Sequence, residues 1–339
     1  MFAALIEESA LKLLIVKTSS MGDVVHTMPA ISDIAKHRPD VEIHWMVESS
    51  FASLPAMHPA VQRVHVISWR KWRKKLLQSD TRDAIKRARA ELRSTYYDLI
   101  IDAQGLVKSA FFAGQARGLR AGYDWKSARE GFASVWYQRV ATVDKALHAV
   151  QRTRLLMAAH LGYRPEGAPD FSLRMPDPTW LPPHTRPAQR PFVVLIPGAS
   201  RPEKLWPEDR WVALAKHIAS RGFEVVWLWG SKEEGSRCVK LAAQSDGEIP
   251  PFLSVEDASA LLARARAVVG LDTGFSHIAA AFGVPTVGIY CDHEPGLVGI
   301  TGPGFVASVG GRDQMPELER IKKLADEALT HSTVRRVIK

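Results

Sequence analysis

The feature that most constrains the fold of this chain is a regular alternation of short apolar runs with helical patterns. Strands so apolar, separated by helices, are typical of parallel sheets covered on both faces. In the first half we predict strands at 12–17, 41–48, 64–68 and 97–105, and helices at 24–37, 80–94 and 108–117. In the second half we predict strands at 192–198, 223–230, 267–274 and 284–290, and helices at 207–220, 233–244, 254–266, 275–282 and 317–329.

The two series of elements are separated by a proline-rich stretch. Residues 164–191 hold eight of the 21 prolines, which favours an extended linker. We therefore predict an α/β fold with two Rossmann-like, doubly wound domains that face each other across a central cleft. The predicted domains are 1–163 and 192–316, and a final helix in 317–339 is expected to pack back on the first domain.

Cysteine content and hydropathy indicate a cytosolic chain without a membrane span. Cys238 and Cys291 are the two cysteines, so no disulfide framework is implied, and we expect both thiols to be buried or half-buried. No apolar run reaches the roughly 20 residues that cross a bilayer, and the N-terminus lacks the basic start of a signal peptide.

The net positive charge of the chain lies in its first half. Residues 1–163 contain 24 Lys and Arg against 15 Asp and Glu, a surplus of nine, whereas 164–339 contain 21 of each. A field of this sign suits an anionic partner. Nucleic acid, an acidic membrane surface and a small polyanion remain open at this point.

Five polar loops follow predicted strands, and ligands of doubly wound sheets bind at this end of the strands. The loops are 17–23, 102–108, 197–204, 230–234 and 272–277. In the last one, Thr273, Gly274 and Ser276 precede or begin a helix, where backbone N–H groups attract anions and a glycine permits close approach. The alternative is an ordinary capped helix start.

The loops at 197–204 and 230–234 suit a nucleotide. Lys204 could hold a diphosphate, and Glu234 could bind ribose hydroxyls; a solvated lysine and a first-turn acid favoured by the helix dipole are the alternatives. The absence of G-x-G-x-x-G and Walker A patterns argues against an NAD-linked dehydrogenase and a P-loop enzyme.

Two features of the basic half could bind an anionic ligand or catalyse its reaction. The run Arg70–Lys75 interleaves with Trp69 and Trp72 and could hold phosphates or anionic headgroups, although a solvated basic face is the alternative. Asp23 follows a strand and precedes a helix, so it is either a helix cap or a catalytic base.

Five stretches together resemble the lipopolysaccharide heptosyltransferase I family of glycosyltransferases. They are KTSSMGDVVHTMPA (17–30), DAQGLVKS (102–109), DWKSARE (124–130), KLWPEDRW (204–211) and DTGFSHIAAAFGVPTVGIY (272–290). The resemblance implies a GT-B fold and inverting transfer of heptose from ADP-L-glycero-D-manno-heptose to the first Kdo of Kdo₂-lipid A. It also implies no cofactor, no essential metal and no nucleic acid, with peripheral contact on the anionic cytosolic face of the inner membrane.

The resemblance also implies roles for individual residues. Asp23 matches the general base of the family. Donor-binding positions are Ser200, Lys204, Glu234, Asp272, Thr273, Gly274 and His277. Acceptor-binding positions are Ser19, Ser20, Gly22, Arg70, Arg73, Lys108 and Arg129.

The chain departs from the family pattern at two loops. Ala199-Ser200 stands where two threonines are expected, and CDHEPGL (291–297) replaces a more usual Gly-Pro-Thr-Asp-Pro-Gly-Leu. A heptosyltransferase II with another core acceptor is the closest alternative function, and a polyanion-binding protein is a more distant one.

Overall fold

Two parallel β-sheets organise the computed structural model, which describes residues 10–183, 191–199, 201–292 and 294–331. The contacts divide these residues into two units. The first unit consists of the described residues up to Ser19 together with Thr27–Gly167. The second consists of Ser20–His26 and the described residues from Ala168 onward. The chain thus changes unit at Gly167, inside the predicted linker, and a short segment near the N-terminus belongs to the second unit.

The first unit is built on a parallel sheet whose strand order is β3-β2-β1-β4-β5-β6. Its strands are β1 (Leu11–Val16), β2 (Val41–Glu48), β3 (Val61–Ile67), β4 (Tyr96–Asp102), β5 (Arg117–Tyr123) and β6 (Arg139–Ala141). The order reverses between β1 and β4, which is the position where doubly wound sheets bind ligands beyond the carboxyl ends of their strands. The loops after β1 and β4 are therefore the ones to examine in this unit.

The helices of the first half differ from the sequence prediction in more than one place. The predicted helix 108–117 ends at Ala113, and Arg117 begins β5. The predicted helix 24–37 is two helices, because Pro29 lies in the first turn of the second one and cannot continue a helix from before it. The helices are α1 (Met21–Val25), which belongs to the second unit, and α2 (Met28–His37), α3 (Ser53–Ala56), α4 (Trp69–Trp72), α5 (Ser79–Arg93), α6 (Val107–Ala113) and α7 (Ala149–Leu161).

The second unit contains a parallel sheet of order β11-β10-β9-β7-β8. Its strands are β7 (Phe192–Ile196), β8 (Glu224–Trp227), β9 (Ala267–Leu271), β10 (Thr286–Tyr290) and β11 (Val306–Gly310). From β7 the chain proceeds to β8 on one side and then to β9 on the other, so the switch point lies between β7 and β9. The loops 197–204 and 272–274 begin at these two strands.

Helices cover this sheet and enclose a core rich in tryptophan. They are α8 (Glu208–Ser220), α9 (Lys232–Ala242), α10 (Val255–Leu262), α11 (Gly274–Ala281) and α12 (Leu318–His331). Trp206, Trp211 and Trp227 are fully buried and meet edge to face. The predicted α/β class with two doubly wound domains is confirmed.

One sequence expectation about the C-terminal helix needs correction. Helix α12 buries Ile321, Leu324 and Ala328 in the core of the second unit, whereas packing on the first domain was expected. The proline-rich stretch has no helix or strand from 164 to 183, and it packs against its surroundings, because Phe171 is buried and Arg264 donates to the carbonyl of Pro176. Among the described helices, none has both the length and the apolar composition needed to cross a membrane.

Candidate functional site

At the switch point of the first sheet, an amide side chain joins the loop after β1 to the loop after β4. Gln104, after β4, accepts hydrogen bonds from the N–H and hydroxyl of Thr18, both at 2.9 Å, and donates to the carbonyl of Ser19 at 2.6 Å. The loops after β1 and β4 are therefore fixed to each other, 85 residues apart in the chain. Ser19, a predicted acceptor-binding residue, has its backbone oriented by this contact.

The acid that ends β4 has a structural role. Asp102 is completely buried and accepts hydrogen bonds from the hydroxyls of Ser109 and Tyr137, each at 2.7 Å, and from the N–H groups of Gln104 and Gly105. Complete burial raises the pKa of Asp102 above its ordinary value, although these hydrogen bonds oppose the rise. The side chain shapes the loop and is not accessible to a substrate.

Two of the four predicted basic acceptor residues lie on adjoining segments. Lys108 is exposed in the first turn of α6, and Arg129 is exposed in the segment that follows β5. These segments meet because Glu130 accepts the N–H of Val107 at 2.7 Å and donates its own N–H to the carbonyl of Gly105. Both cations thus lie at the edge of the DAQG loop.

The other two predicted acceptor residues lie beyond the carboxyl end of β3, Arg70 on α4 and Arg73 just after it. The backbone N–H of Arg70 donates to the buried carboxylate of Glu48, and its guanidinium lies 5.2 Å from the centre of the Phe51 ring. Arg73 follows α4 and is exposed. Strand β3 is two strands away from β1 in the sheet, so these cations form a second group.

Asp23 lies on the short helix α1 in the second unit. The helix begins after Ser20, whose N–H and hydroxyl donate to Asp23 Oδ2 at 2.9 and 3.1 Å. The cap is therefore Ser20, not Asp23, and Asp23 occupies the third helical position of a capping box. Asp23 is half-buried, and the N-terminus of the helix stabilises its negative charge.

Glycines in α1 and α11 allow these two helices to meet closely. A Cβ on Gly274 would lie 2.5 Å from Met21 Cγ, and one on Gly22 would lie 3.1 Å from His277 Cδ2. The space beside Gly274, expected to admit a ligand, is occupied by Met21, and the space beside Gly22, expected to admit an acceptor sugar, holds the His277 ring. The two glycines position Asp23 in the unit that carries the D-T-G-x-x-H motif.

The switch point of the second sheet carries a buried charged constellation. Lys204 Nζ lies 2.8 Å from Asp272 Oδ2, and each side chain is 14% exposed. His277 Nε2 lies 3.3 Å from the other oxygen of the same carboxylate. Burial alone raises the pKa of Asp272, but the hydrogen bonds and charge of His277 and Lys204 outweigh it and hold the pKa well below its ordinary value. Asp272 is ionised and fixes the direction of both partners.

His26 extends this constellation, and sequence reasoning missed it. His26 Nε2 lies 3.1 Å from His277 Nδ1, and both rings are buried. Because ionised Asp272 only accepts, His277 Nε2 must donate to it, and a neutral His277 then accepts from His26 at Nδ1. The histidine ends the motif KTSSMGDVVH, yet its partner lies 251 residues away, so the local pattern gives no signal.

Thr273 precedes α11 and carries an unsatisfied hydroxyl. Its buried Oγ1 has no hydrogen-bond partner within the described part of the chain, so a ligand could supply one. Ser276, expected as a further donor, is already bonded to the carbonyl of Leu271 at 2.8 Å and is fully buried. Ser200, a predicted donor-binding residue, lies outside the described residues.

Glu234 is held where the loops after β7 and β8 meet. Its carboxylate accepts the N–H of Gly230 at 2.7 Å, and a Cβ on Gly198 would lie 2.5 Å from its Cδ. Ser231 caps α9 by accepting the N–H of Glu234. The side chain therefore crosses from the β8 loop to the β7 loop, a position consistent with the predicted contact to a nucleotide ribose.

The divergent loop 291–297 makes its own contacts in this unit. Asp292 pairs with Arg201, and Glu294 accepts the N–H of Arg312 at 3.3 Å. Cys291 is half-buried and Cys238 fully buried, as expected, and burial raises the pKa of the Cys238 thiol to about 12. Across the described ranges, no three or more His, Cys, Asp or Glu side chains gather as a metal site would require.

The chain is similar to curated heptosyltransferases over most of its length. It is 38% identical to lipopolysaccharide heptosyltransferase 1 of Escherichia coli K12 over 311 residues, covering 91% of this chain and 96% of the relative. It is 41% identical to lipopolysaccharide heptosyltransferase 1 of Pseudomonas aeruginosa over 295 residues, covering 86% and 82%.

Solved structures and a family model give the same assignment. The structure of E. coli heptosyltransferase WaaC with ADP matches with a TM-score of 0.85 and 36% identity, covering 94% of this chain and all of the other. WaaC with ADP-2-deoxy-2-fluoro heptose matches with a TM-score of 0.83 and 34% identity, covering 94% and 99%. The model of glycosyltransferase family 9 (heptosyltransferase) matches residues 85–326. The chain therefore belongs to glycosyltransferase family 9, the heptosyltransferases.

Proposed function

We propose that this enzyme transfers L-glycero-D-manno-heptose from ADP-heptose to the first Kdo of Kdo₂-lipid A, with inversion at the anomeric carbon. The observation that carries the proposal is the buried Lys204–Asp272–His277 constellation at the switch point of the second sheet. Relatives named lipopolysaccharide heptosyltransferase 1, at 36–41% identity, support the transfer of heptose in lipopolysaccharide synthesis.

The donor binds to the second unit. Lys204 and the N-terminus of α11 supply positive charge for the diphosphate, and the unsatisfied hydroxyl of Thr273 donates to it. His277 and Asp272 orient the heptose, Ser200 adds a hydroxyl contact, and Glu234 accepts from the ribose. As the bond from the anomeric carbon to the diphosphate oxygen breaks, the same positive groups stabilise the charge on the departing ADP.

Asp23 acts as the general base. It accepts the proton of the acceptor hydroxyl while that oxygen attacks the anomeric carbon from the face opposite the diphosphate, which inverts the centre. General base catalysis of this kind contributes roughly 10²–10⁴-fold to the rate. The capping box holds one carboxylate oxygen on Ser20, which fixes the orientation of Asp23 on α1.

The acceptor binds to the basic half of the chain. Kdo₂-lipid A carries carboxylates and phosphates, and the whole positive surplus lies within residues 1–163. Lys108 and Arg129 form one group of cations, and Arg70 and Arg73 form another. Ser19, Ser20 and the backbone of Gly22 complete the proposed acceptor contacts on the segment that leads to Asp23, since the space on the Cβ side of Gly22 is filled by His277.

We further propose that the reaction needs no metal ion, because Lys204 and the start of α11 supply positive charge beside the leaving group. Turnover should be unchanged in EDTA, and a loss restored by a divalent cation would refute this part. The enzyme would act as a peripheral protein on the cytosolic face of the inner membrane, where a lipid acceptor of this kind is anchored.

Mass spectrometry of defined acceptors tests the proposed function. Kdo₂-lipid A should gain the mass of one heptose after incubation with the protein and ADP-heptose. NMR of the product should show the anomeric configuration opposite to that of the donor. A mass gain confined to an acceptor that already carries a heptose would instead assign the heptosyltransferase II activity.

A further inference from the structure

An open apolar groove lies in the first unit beneath α4, α5 and α6, on the face of β2 and β3. Its volume is about 270 Å³, close to the lower end of ligand pockets, roughly 300 Å³. The floor consists of buried apolar side chains and the walls of half-buried ones. The floor is Met46, Ile67, Leu92 and Phe112, and the walls are Trp69, Trp72, Ile85 and Ala88.

The groove exists because α5 does not bury its apolar stripe completely. The stripe runs through Thr81, Ile85, Ala88 and Leu92 at helical spacing, yet Thr81 and Leu92 are the two buried residues of this 15-residue helix. A surface helix ordinarily covers such a stripe against the core. Ile85 and Ala88 remain half-exposed and face the groove, so a further apolar group can still be accommodated there.

Large apolar side chains continue from the groove onto the surface. Val66 and Phe111 line the groove and are 44% and 51% exposed. Leu76 and Leu77, which follow the basic residues after α4, are 44% and 92% exposed. Apolar side chains concentrated at one place mark an interaction surface, whereas scattered ones need no explanation.

Positive charge flanks this apolar surface. Arg70, Lys71, Arg73, Lys74 and Lys75 are all exposed on and after α4, whose two tryptophans form a wall of the groove, and Arg89 lines the groove itself.

The acidic group of the groove, Glu91, is balanced by Arg63, since the nearby His65 is neutral at pH 7. Glu91 lies 3.2 Å from Arg63 and 3.8 Å from His65. The side chains of Lys71, Lys74 and Lys75 form no ion pair with any residue that the structure describes. The exposed positive charge therefore suits a partner that carries negative charge, and the apolar groove suits a partner that carries a hydrocarbon chain.

We propose that this surface docks the enzyme on an anionic lipid bilayer. The groove receives one lipid acyl chain, Leu76 and Leu77 insert among the acyl chains beside it, and Lys71, Lys74 and Lys75 contact lipid phosphates. The inference rests on the proposed function in one respect, because docking on a bilayer brings the enzyme to its acceptor when that acceptor is anchored in a membrane. Binding itself requires neither ADP-heptose nor the acceptor.

Vesicle sedimentation tests the proposal with the full chain. The protein should bind phosphatidylcholine vesicles that contain phosphatidylglycerol, bind vesicles of phosphatidylcholine alone far more weakly, and dissociate as salt increases. Lys71→Gln/Lys74→Gln/Lys75→Gln should weaken binding about a hundredfold, since each lysine near such a surface contributes about fivefold. The matched control, Lys216→Gln/Lys240→Gln/Lys323→Gln, removes the same charge from exposed positions of the second unit and should bind normally.

The groove itself is tested by Ala88→Trp, which fills it without changing charge. This variant should lose at least tenfold in vesicle affinity while its thermal unfolding stays close to that of the wild type. Transfer to a water-soluble, deacylated acceptor should remain unchanged in all these variants, so a failure of the proposed function is seen separately from a failure of docking.

Three results would overturn the docking proposal. One is equal binding of the wild type to neutral and anionic vesicles. Another is unaltered vesicle binding by Ala88→Trp. The third is a concentration-dependent dimer that Ala88→Trp dissociates, because the groove would then hold a second copy of the chain.

Discussion

At the residue scale, the candidate site depends on side chains whose orientations are fixed by hydrogen bonds. Asp272 accepts from Lys204 and from His277 at the same time, so both donors are oriented before a substrate arrives. Such preorganised charge is the main source of transition-state stabilisation in enzymes. The geometry explains why the aspartate and the histidine of D-T-G-x-x-H stand five residues apart: α11 begins at Gly274, and His277 in its first turn reaches back to Asp272.

His26 should act as a positioning residue through His277. His26→Ala removes one hydrogen bond, worth about 1 kcal/mol, so kcat/KM for ADP-heptose should fall about five- to tenfold. His26→Gln can restore an N–H donor near the same place and should recover most of the loss. Steady-state kinetics with varied ADP-heptose measures both effects. Equal losses in the two variants would show that the ring packs without orienting His277.

At the element scale, α1 and α11 approach each other closely in the second unit, and this contact holds α1 in place. Helix α1 is five residues long and too short to be stable alone. Its packing on α11 and its capping box hold it, and Asp23 is carried with it. The loop after β1 therefore supplies Ser19 to the first unit and Asp23 to the second.

Gly274→Ala should displace α1 and lower turnover. The new Cβ would lie 2.5 Å from Met21 Cγ, so the helix must move. Turnover should fall at least tenfold while the fold survives, and Met21→Gly should recover part of the activity when combined with it. Gly296→Ala is the matched control, since a Cβ there meets nothing within 4 Å. Kinetics and circular dichroism of the three variants check the prediction; wild-type turnover in Gly274→Ala would contradict it.

The strands β2, β3 and β4 share a buried polar chain that makes stability depend on pH. Tyr97 Oη lies 2.9 Å from His44 Nδ1 and 2.8 Å from His65 Nε2, and Glu42 lies 2.8 Å from His44 Nε2. Burial, with smaller contributions from His44 and Arg63, lowers the pKa of His65 from 6.5 to about 4. His65 is therefore neutral in the folded protein at pH 7.

Lowering the pH should destabilise the first unit through His65. The folded pKa lies below the unfolded value, so the unfolded state binds more protons and stability falls as pH drops from 6.5 towards 4. The loss should be at most about 3 kcal/mol. Hydrogen exchange of amides in β2 and β3 at pH 7 and pH 5 measures it, and His65→Gln should reduce the pH dependence. An unchanged pH dependence in that variant would assign it to other groups.

At the scale of the whole molecule, the sequence predicted the strands that are marked by continuous apolar runs. The runs 12–17, 192–198 and 284–290 became β1, β7 and β10, because strands buried on both faces must be continuously apolar. Strand β5 was missed, since RGLRAGY mixes arginines and glycines with few apolar residues and resembles a loop.

Contacts between distant residues could not be predicted in this way. Gln104 with Thr18 and His26 with His277 depend on how the strands are ordered, and strand order is a tertiary property. The five polar loops were predicted to follow strands, and each of them does so in the structure. Their division between the two units, with Asp23 placed beside the D-T-G-x-x-H motif, was not foreseen.

The central claim is that Asp23 is the base and is held in position by the second unit. Asp23→Asn keeps an oxygen that can accept from Ser20 and preserves α1, but it cannot take a proton. Its turnover should fall about 10²–10⁴-fold, while ADP-heptose affinity by calorimetry stays within a few-fold of the wild type. Ser20→Ala, which leaves the carboxylate intact, should lose less than tenfold in turnover. Near-normal turnover in Asp23→Asn, or a loss fully explained by weaker ADP-heptose binding, would contradict the account.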